Sequence, residues 1–125
     1  ETDGSPEVKG RLRAMQQEVA RRRMMEEVPK ADVVITNPQH YAVALKFKPD
    51  TMRAPVVVAK GLDHVAMRIR EVAREHDIPF YEDPPLARQL YREVEIDQTI
   101  PLQLYEVVAK VIGYIMQLKR RRSAA

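Results

Sequence analysis

An asparagine followed by a proline, Asn37-Pro38, stands between two short apolar runs, and His40 lies three residues beyond the asparagine. Asparagine ordinarily degrades when the backbone nitrogen of the next residue attacks its side-chain carbonyl. Proline has no N–H, so that route is closed at Asn37. What remains is attack by the Asn37 side-chain nitrogen on its own backbone carbonyl. This forms a terminal succinimide and expels Pro38 as a new N-terminus. Proline also biases Asn37 toward extended backbone, so a tight turn could hold amide and carbonyl together under strain that the cut releases. His40 could hydrogen-bond the reacting amide or move a proton, because imidazole titrates near neutrality. On residues alone, an Asn-Pro pair between strands is more often just a turn, and a single histidine at a strand start is more often structural or exposed.

The elements that must hold this turn follow from the hydropathy pattern. Asp32 to Thr36 predicts one strand, stopped by the turn chemistry of Asn37-Pro38. Tyr41 to Phe47 predicts the next, with Tyr41, Val43, Leu45 and Phe47 alternating onto one face. Pro55 to Lys60 reads as a third strand, apolar enough to be central. Asp63 is a candidate N-cap for a helix from His64 to about His76, with Val65, Ile69, Val72 and Ala73 inward and Arg68, Arg70 and Arg74 in water. Ile78 to Tyr81 makes a short fourth strand, and the unit from Val56 to Tyr81 predicts a right-handed parallel crossover. Asp83-Pro84 opens a short helix with Leu86, Ala87 and Leu90 turned inward. A last helix begins near Pro101, burying Leu104, Val107, Val108, Val111, Ile115 and Leu118, with a basic run at its C-terminal end. Ahead of all this, Val8 to Val28 is highly charged, with Leu12, Met15, Val19 and Met24 as a thin apolar stripe that fits a marginal helix ended by Pro29. The predicted fold is a small single α/β domain with a mixed sheet of about four strands surrounded by helices, preceded by an N-terminal linker helix.

Composition excludes several chemistries. With no cysteine among 125 residues, disulfide scaffolds, thiol catalysis and cysteine-rich zinc sites are ruled out. His40, His64 and His76 match no zinc spacing, so no metal is expected. No run approaches the roughly 18 apolar residues of a membrane span. The net charge of +3 is concentrated in Arg21-Arg22-Arg23 and Lys119-Arg120-Arg121-Arg122. Such clusters suit nucleic acid or anionic lipid, yet no aromatic residues are interleaved for base stacking, and a solvated face or frayed tail is the more common account of them. A conventional hydrolase pairing His40 with Asp32 or Asp63 is a further reading, but no nucleophile motif or phosphate loop accompanies it.

A longer pattern favours the self-cleaving reading. The segment Thr36-Asn37-Pro38-Gln39-His40-Tyr41-Ala42-Val43-Ala44-Leu45 resembles the Asn-Pro-Thr-His segment of the FlhB/YscU family, the export-switch proteins of flagella and injectisomes. The likeness continues through Ala54-Pro55, Val58-Ala59-Lys60-Gly61, Met67-Arg68-Ile69-Arg70-Glu71, Pro84-Pro85-Leu86-Ala87-Arg88, Leu90-Tyr91 and Ile100-Pro101, over roughly residues 30–120. The segments Tyr41 to Leu45 and Gln117-Leu118-Lys119-Arg120 are most similar to the flagellar branch. The resemblance implies residues 1–30 as a linker helix from a membrane region, 31–120 as a self-cleaving export-switch domain, and 121–125 as a basic tail. It implies a single intramolecular cut at Asn37-Pro38 without cofactor or protease, on the cytoplasmic face of the bacterial inner membrane. The cut would change export from rod and hook subunits to filament subunits, or from needle subunits to translocators and effectors in an injectisome. Implied partners are rod and hook export substrates, a hook-length control protein and other export-gate components, with lipid contact by the linker helix and no nucleic acid. Early-substrate contacts in the family imply an exposed apolar patch at Ala54, Pro55, Ala109 and Ile112. Thr36 and Gln39 flank the cut, and Gln39 stands where the family usually has threonine, which bears on the rate.

Overall fold

Residues 5–124 are described by a computed structural model. Four strands form one sheet: β1 (Val33–Asn37), β2 (Tyr41–Lys46), β3 (Val56–Leu62) and β4 (Phe80–Glu82). Their order is β3-β2-β1-β4, with β1/β2 and β2/β3 antiparallel and β1/β4 parallel. The helices are α1 (Pro6–Glu27), α2 (Asp63–Glu75), α3 (Pro84–Glu93) and α4 (Tyr105–Ala124). The expected α/β domain with a mixed four-stranded sheet is therefore present. β4 runs in the same direction as β3, and the β3–α2–β4 connection passes over β2 and β1 to the far edge.

Successive strand side chains point to opposite faces, and here both faces are covered. Val33, Ile35, Val43 and Leu45 pack with α3 and α4 residues such as Leu90, Val108 and Ile115. Val34, Ala42, Ala44 and Ala59 pack with Ala66, Ile69 and Ala73 of α2 and with Met24 and Val28. Phe47 falls just past β2 but still packs on the first face, as the alternation predicts. Lys60 ties α3 to the sheet: its Nζ donates to the carbonyls of Tyr91 (2.9 Å) and Val94 (3.0 Å), where a cation suits a helix C-terminus.

Several expectations need correction. β3 is an edge strand, not a central one; its apolar run reflects two covered faces rather than two neighbouring strands. Its outer edge is occupied by residues 97–100, through bonds from Val57 N–H to Gln98 O, Asp97 N–H to Val57 O and Ile100 N–H to Pro55 O. The stripe on α1 is not buried: Leu12, Met15 and Val19 remain exposed, and packing begins only at Met24 in the last turn. On α2, Ala66 is buried against the sheet in addition to the expected residues, Val65 is half-buried but packs on the same core, and Arg70 is half-buried with Nη1 lacking a partner. Gly61 explains the close approach of that helix, because a Cβ there would collide with the Val65 side chain. On α4, Ile112 takes the inward place expected of Val107, and Leu118 is half-buried. Residues 121–124 extend α4, so its last turn carries the expected basic run. Asp83 caps α3 as expected, its Oδ1 accepting from Leu86 N–H at 3.2 Å. Residues 1–4 of the linker and residue 125 of the tail lie outside the described residues.

Candidate functional site

The continuous apolar run of β1, Val33 to Ile35, leads through Thr36 to Asn37, which pairs across the hairpin with Tyr41. Pro38, Gln39 and His40 form the exposed head of this hairpin, while Asn37 is half-buried and Thr36 buried. One hydrogen bond closes the turn. The backbone N–H of His40 donates to the carbonyl oxygen of Asn37 at 2.9 Å. That carbonyl belongs to the Asn37-Pro38 peptide bond, so the donor polarises the atom an asparagine side chain would attack.

Both sides of the turn are anchored. On the amino side, the Thr36 carbonyl accepts from Asp83 N–H at 2.9 Å, joining β1 to the start of α3. On the carboxyl side, the His40 carbonyl accepts from Asp63 N–H at 2.9 Å, joining the turn to the start of α2. Tyr41 then packs edge-on against Tyr91 of α3, ring centroids 5.5 Å apart. The loop is therefore exposed to solvent but fixed at three neighbouring points.

The side chain of His40 does not make the bond to the reacting amide that was one of its two expected roles. Its Nδ1 lies 3.1 Å from Asp63 Oδ1 rather than on the Asn37 amide. Asp63, the expected N-cap, makes no capping bond; it is the first residue of α2, and its carboxylate is turned to His40. Of the two carboxylates that the sequence offered to His40, Asp63, 23 positions away, is the one beside it, brought there by the run of β3 along β2. Asp32, the other candidate partner, sits at the opposite end of the hairpin. Its two oxygens take Lys48 Nζ and Phe47 N–H, each at 2.7 Å. The hydrolase pairing of His40 with Asp32 is thereby overturned. His76 is bonded to the Val72 carbonyl of its own helix, and among the described residues no cluster of acidic, histidine or cysteine side chains could hold a metal.

The four residues of the expected apolar patch do come together. Ala54, Pro55, Ala109 and Ile112 line one groove of about 330 Å³ between α4 and the segment before β3. Ala54 and Ile112 are buried in its lining rather than exposed, whereas Ala109 is exposed. Phe47, Tyr105 and Met116 also line the groove, with Arg53 at its wall, and were not among the expected residues. The basic clusters lie elsewhere. Arg21 and Arg22 are shared with Glu18 on the exposed side of α1 (3.5 and 3.3 Å), and Arg120 to Arg122 are exposed at the end of α4.

A family model described as the FlhB HrpN YscU SpaS family matches residues 1–115. The chain belongs to that family. It is 57% identical over 124 residues to the flagellar biosynthetic protein FlhB of Salmonella typhimurium and 50% identical over 120 residues to FlhB of Bacillus subtilis. It spans 32% and 33% of the lengths of those relatives while 99% and 96% of the chain is matched. Among solved structures, the cytoplasmic domain of FlhB from Shewanella putrefaciens superposes with a TM-score of 0.79 at 49% identity, covering 83% of this chain and 80% of that one. A mutated EscU C-terminal domain is similar at a TM-score of 0.71 and 34% identity, covering 74% of this chain and 92% of that one. This FlhB-type domain is thus a member of a family of flagellar and related export components. No helix among its described residues is long and apolar enough to cross a membrane.

Proposed function

We propose that the chain is the cytoplasmic part of a flagellar export component that cuts its own backbone between Asn37 and Pro38. The reading is carried by one observation: the Asn37-Pro38 bond lies at the exposed head of an anchored hairpin, with its carbonyl oxygen accepting the His40 N–H. In the reaction, Asn37 Nδ2 forms a bond to its own carbonyl carbon, and negative charge develops on the oxygen held by that N–H. The C–N bond to Pro38 then breaks. A proton lost from Nδ2 goes to the departing proline nitrogen, leaving a succinimide at residue 37 and a secondary amine at residue 38. Atoms and charge balance without a cofactor, and each chain reacts once.

Within this reading, residues 1–30 link the domain to a membrane-embedded region, 31–120 form the cutting domain and 121–125 a basic tail, at the cytoplasmic face of the inner membrane. The groove of Ala54, Pro55, Ala109 and Ile112 receives rod and hook subunits before the cut. A hook-length control protein and other export-gate components engage the same domain, and export passes to filament subunits afterwards. Higher identity to FlhB proteins than to EscU supports the flagellar branch over the injectisome one. Intact mass of the purified chain is the test: fragments 1–37 and 38–125 are expected, and a chain that stays whole through prolonged incubation at neutral pH refutes the cut.

A further inference from the structure

The structure assigns Asp63 as a positioning residue for the proposed cut, acting through His40; the assignment rests on that reading of Asn37-Pro38. Asp63 holds His40 at two atoms. Its backbone N–H donates to the His40 carbonyl at 2.9 Å, and its Oδ1 meets the His40 ring at Nδ1, 3.1 Å away. His40 in turn donates its own N–H to the Asn37 carbonyl at 2.9 Å. Residue 63 therefore fixes the donor that addresses the reacting carbonyl, although it touches neither Asn37 nor Pro38.

Both side chains are exposed, and it is the backbone that sets the arrangement. Asp63 lies in the left-handed region, at φ 43°, a conformation that side chains other than glycine, asparagine and aspartate avoid. The bend it makes between β3 and α2 is what aims both its N–H and its carboxylate at the hairpin head. A carboxylate can only accept, so the His40 ring must present Nδ1–H to it, and Nε2 is left as the basic nitrogen. The two roles of Asp63 separate cleanly: the bend belongs to its backbone, and the choice of tautomer to its side chain.

That separation gives the experiment. Asp63→Gly keeps the left-handed bend and the N–H but removes the carboxylate; Asp63→Asn keeps both the bend and an acceptor oxygen. With the chain refolded from denaturant and fragments followed over time, Asp63→Gly is expected to cut about three- to tenfold more slowly, the effect of one lost hydrogen bond. Asp63→Asn is expected to restore most of the rate. In a His40→Ala background, Asp63→Gly is expected to add no further slowing. An Asp63→Gly chain that cuts as fast as the parent overturns the assignment, as does equal slowing with and without the His40 ring. A readout independent of cutting uses the Asn37→Ala chain, which the proposed chemistry leaves whole. Ring nitrogen NMR shifts of His40 are expected to report Nδ1–H there and to move toward Nε2–H when Asp63→Gly is added; unchanged shifts overturn the assignment. A parent chain that never cuts refutes the proposed function instead, and the NMR result then shows separately whether Asp63 orients His40.

Discussion

Once Asn37-Pro38 is cut, nothing covalent holds residues 1–37 to the rest of the domain, so their retention becomes a measurable binding energy. β1 supplies most of it. Val33, Val34 and Ile35 are fully buried, β2 pairs along one side of β1 and β4 along the other, and Val28 is also fully buried. Each such side chain contributes about 1.5–3 kcal/mol when buried, and the ladder bonds stay paired because one broken peptide bond removes none of them. Ile35→Ala should cost about 2–5 kcal/mol, since the sheet core can collapse only partly around the missing atoms. For two separate fragments this weakens binding by roughly 30-fold to several thousand-fold, at about 1.4 kcal/mol per factor of ten. Gel filtration of the cut protein across a dilution series, with mass analysis of each peak, reads this directly. The parent fragments should co-elute, Ile35→Ala should release residues 1–37 at far higher concentration, and Met15→Ala, at an exposed position of the same fragment, should match the parent. Elution of parent residues 38–125 alone, or an Ile35→Ala complex as tight as the parent, would refute the reasoning.

Three further outcomes can be checked on the same chain. Asn37→Ala should abolish cutting while thermal melting stays within a few degrees of the parent, because no side-chain bond from Asn37 holds the turn; fragments from Asn37→Ala without added protease would exclude the succinimide route. Gln39→Thr should cut several-fold faster, on the scale of about 1 kcal/mol, because a short hydroxyl bonds turn backbone at less entropic cost than a long flexible amide. Equal time courses of the two would remove position 39 from the alignment of Asn37. Replacing Ala54 and Pro55 together by aspartate should impair crosslinking of an early export subunit to the groove, because charge is placed against an apolar wall. Unimpaired substrate binding would place the docking surface elsewhere.

β2 and the helices were legible because their apolar residues recur at periods of two and 3.6, and β1 because a short continuous apolar run stops at a turn; β1, β2, α3 and the core face of α4 lie close to where those patterns put them. Asn37, Pro38 and their turn were legible for the same local reason. What failed depends on residues far apart in the chain. The apolarity of β3 reports covered faces and cannot say which strand lies beside it, so its edge position was missed. Asp63 looked like a helix cap because it precedes an amphipathic run, and the sequence left Asp32 and Asp63 equally open as neighbours of His40; the pairing of Tyr41 with Leu62 decides for Asp63. The exposed stripe of α1 has helical spacing whether or not anything packs on it, so periodicity alone could not reveal that Leu12, Met15 and Val19 lack cover among the described residues.

The sheet order gives the position of β1 a second meaning. With the order β3-β2-β1-β4, the strand that ends at the cut is interior, so losing residues 1–37 would not shorten the sheet but split it. The backbone groups of Tyr41–Leu45 and of Phe80–Glu82 would then face an empty slot one strand wide, with their donors and acceptors unmatched. Such a slot would accept any extended chain of suitable pattern, including the same strand from another molecule, and would invite exchange and aggregation. A cut made at the tip of the hairpin, beyond the last paired residue, nicks the chain without opening that slot.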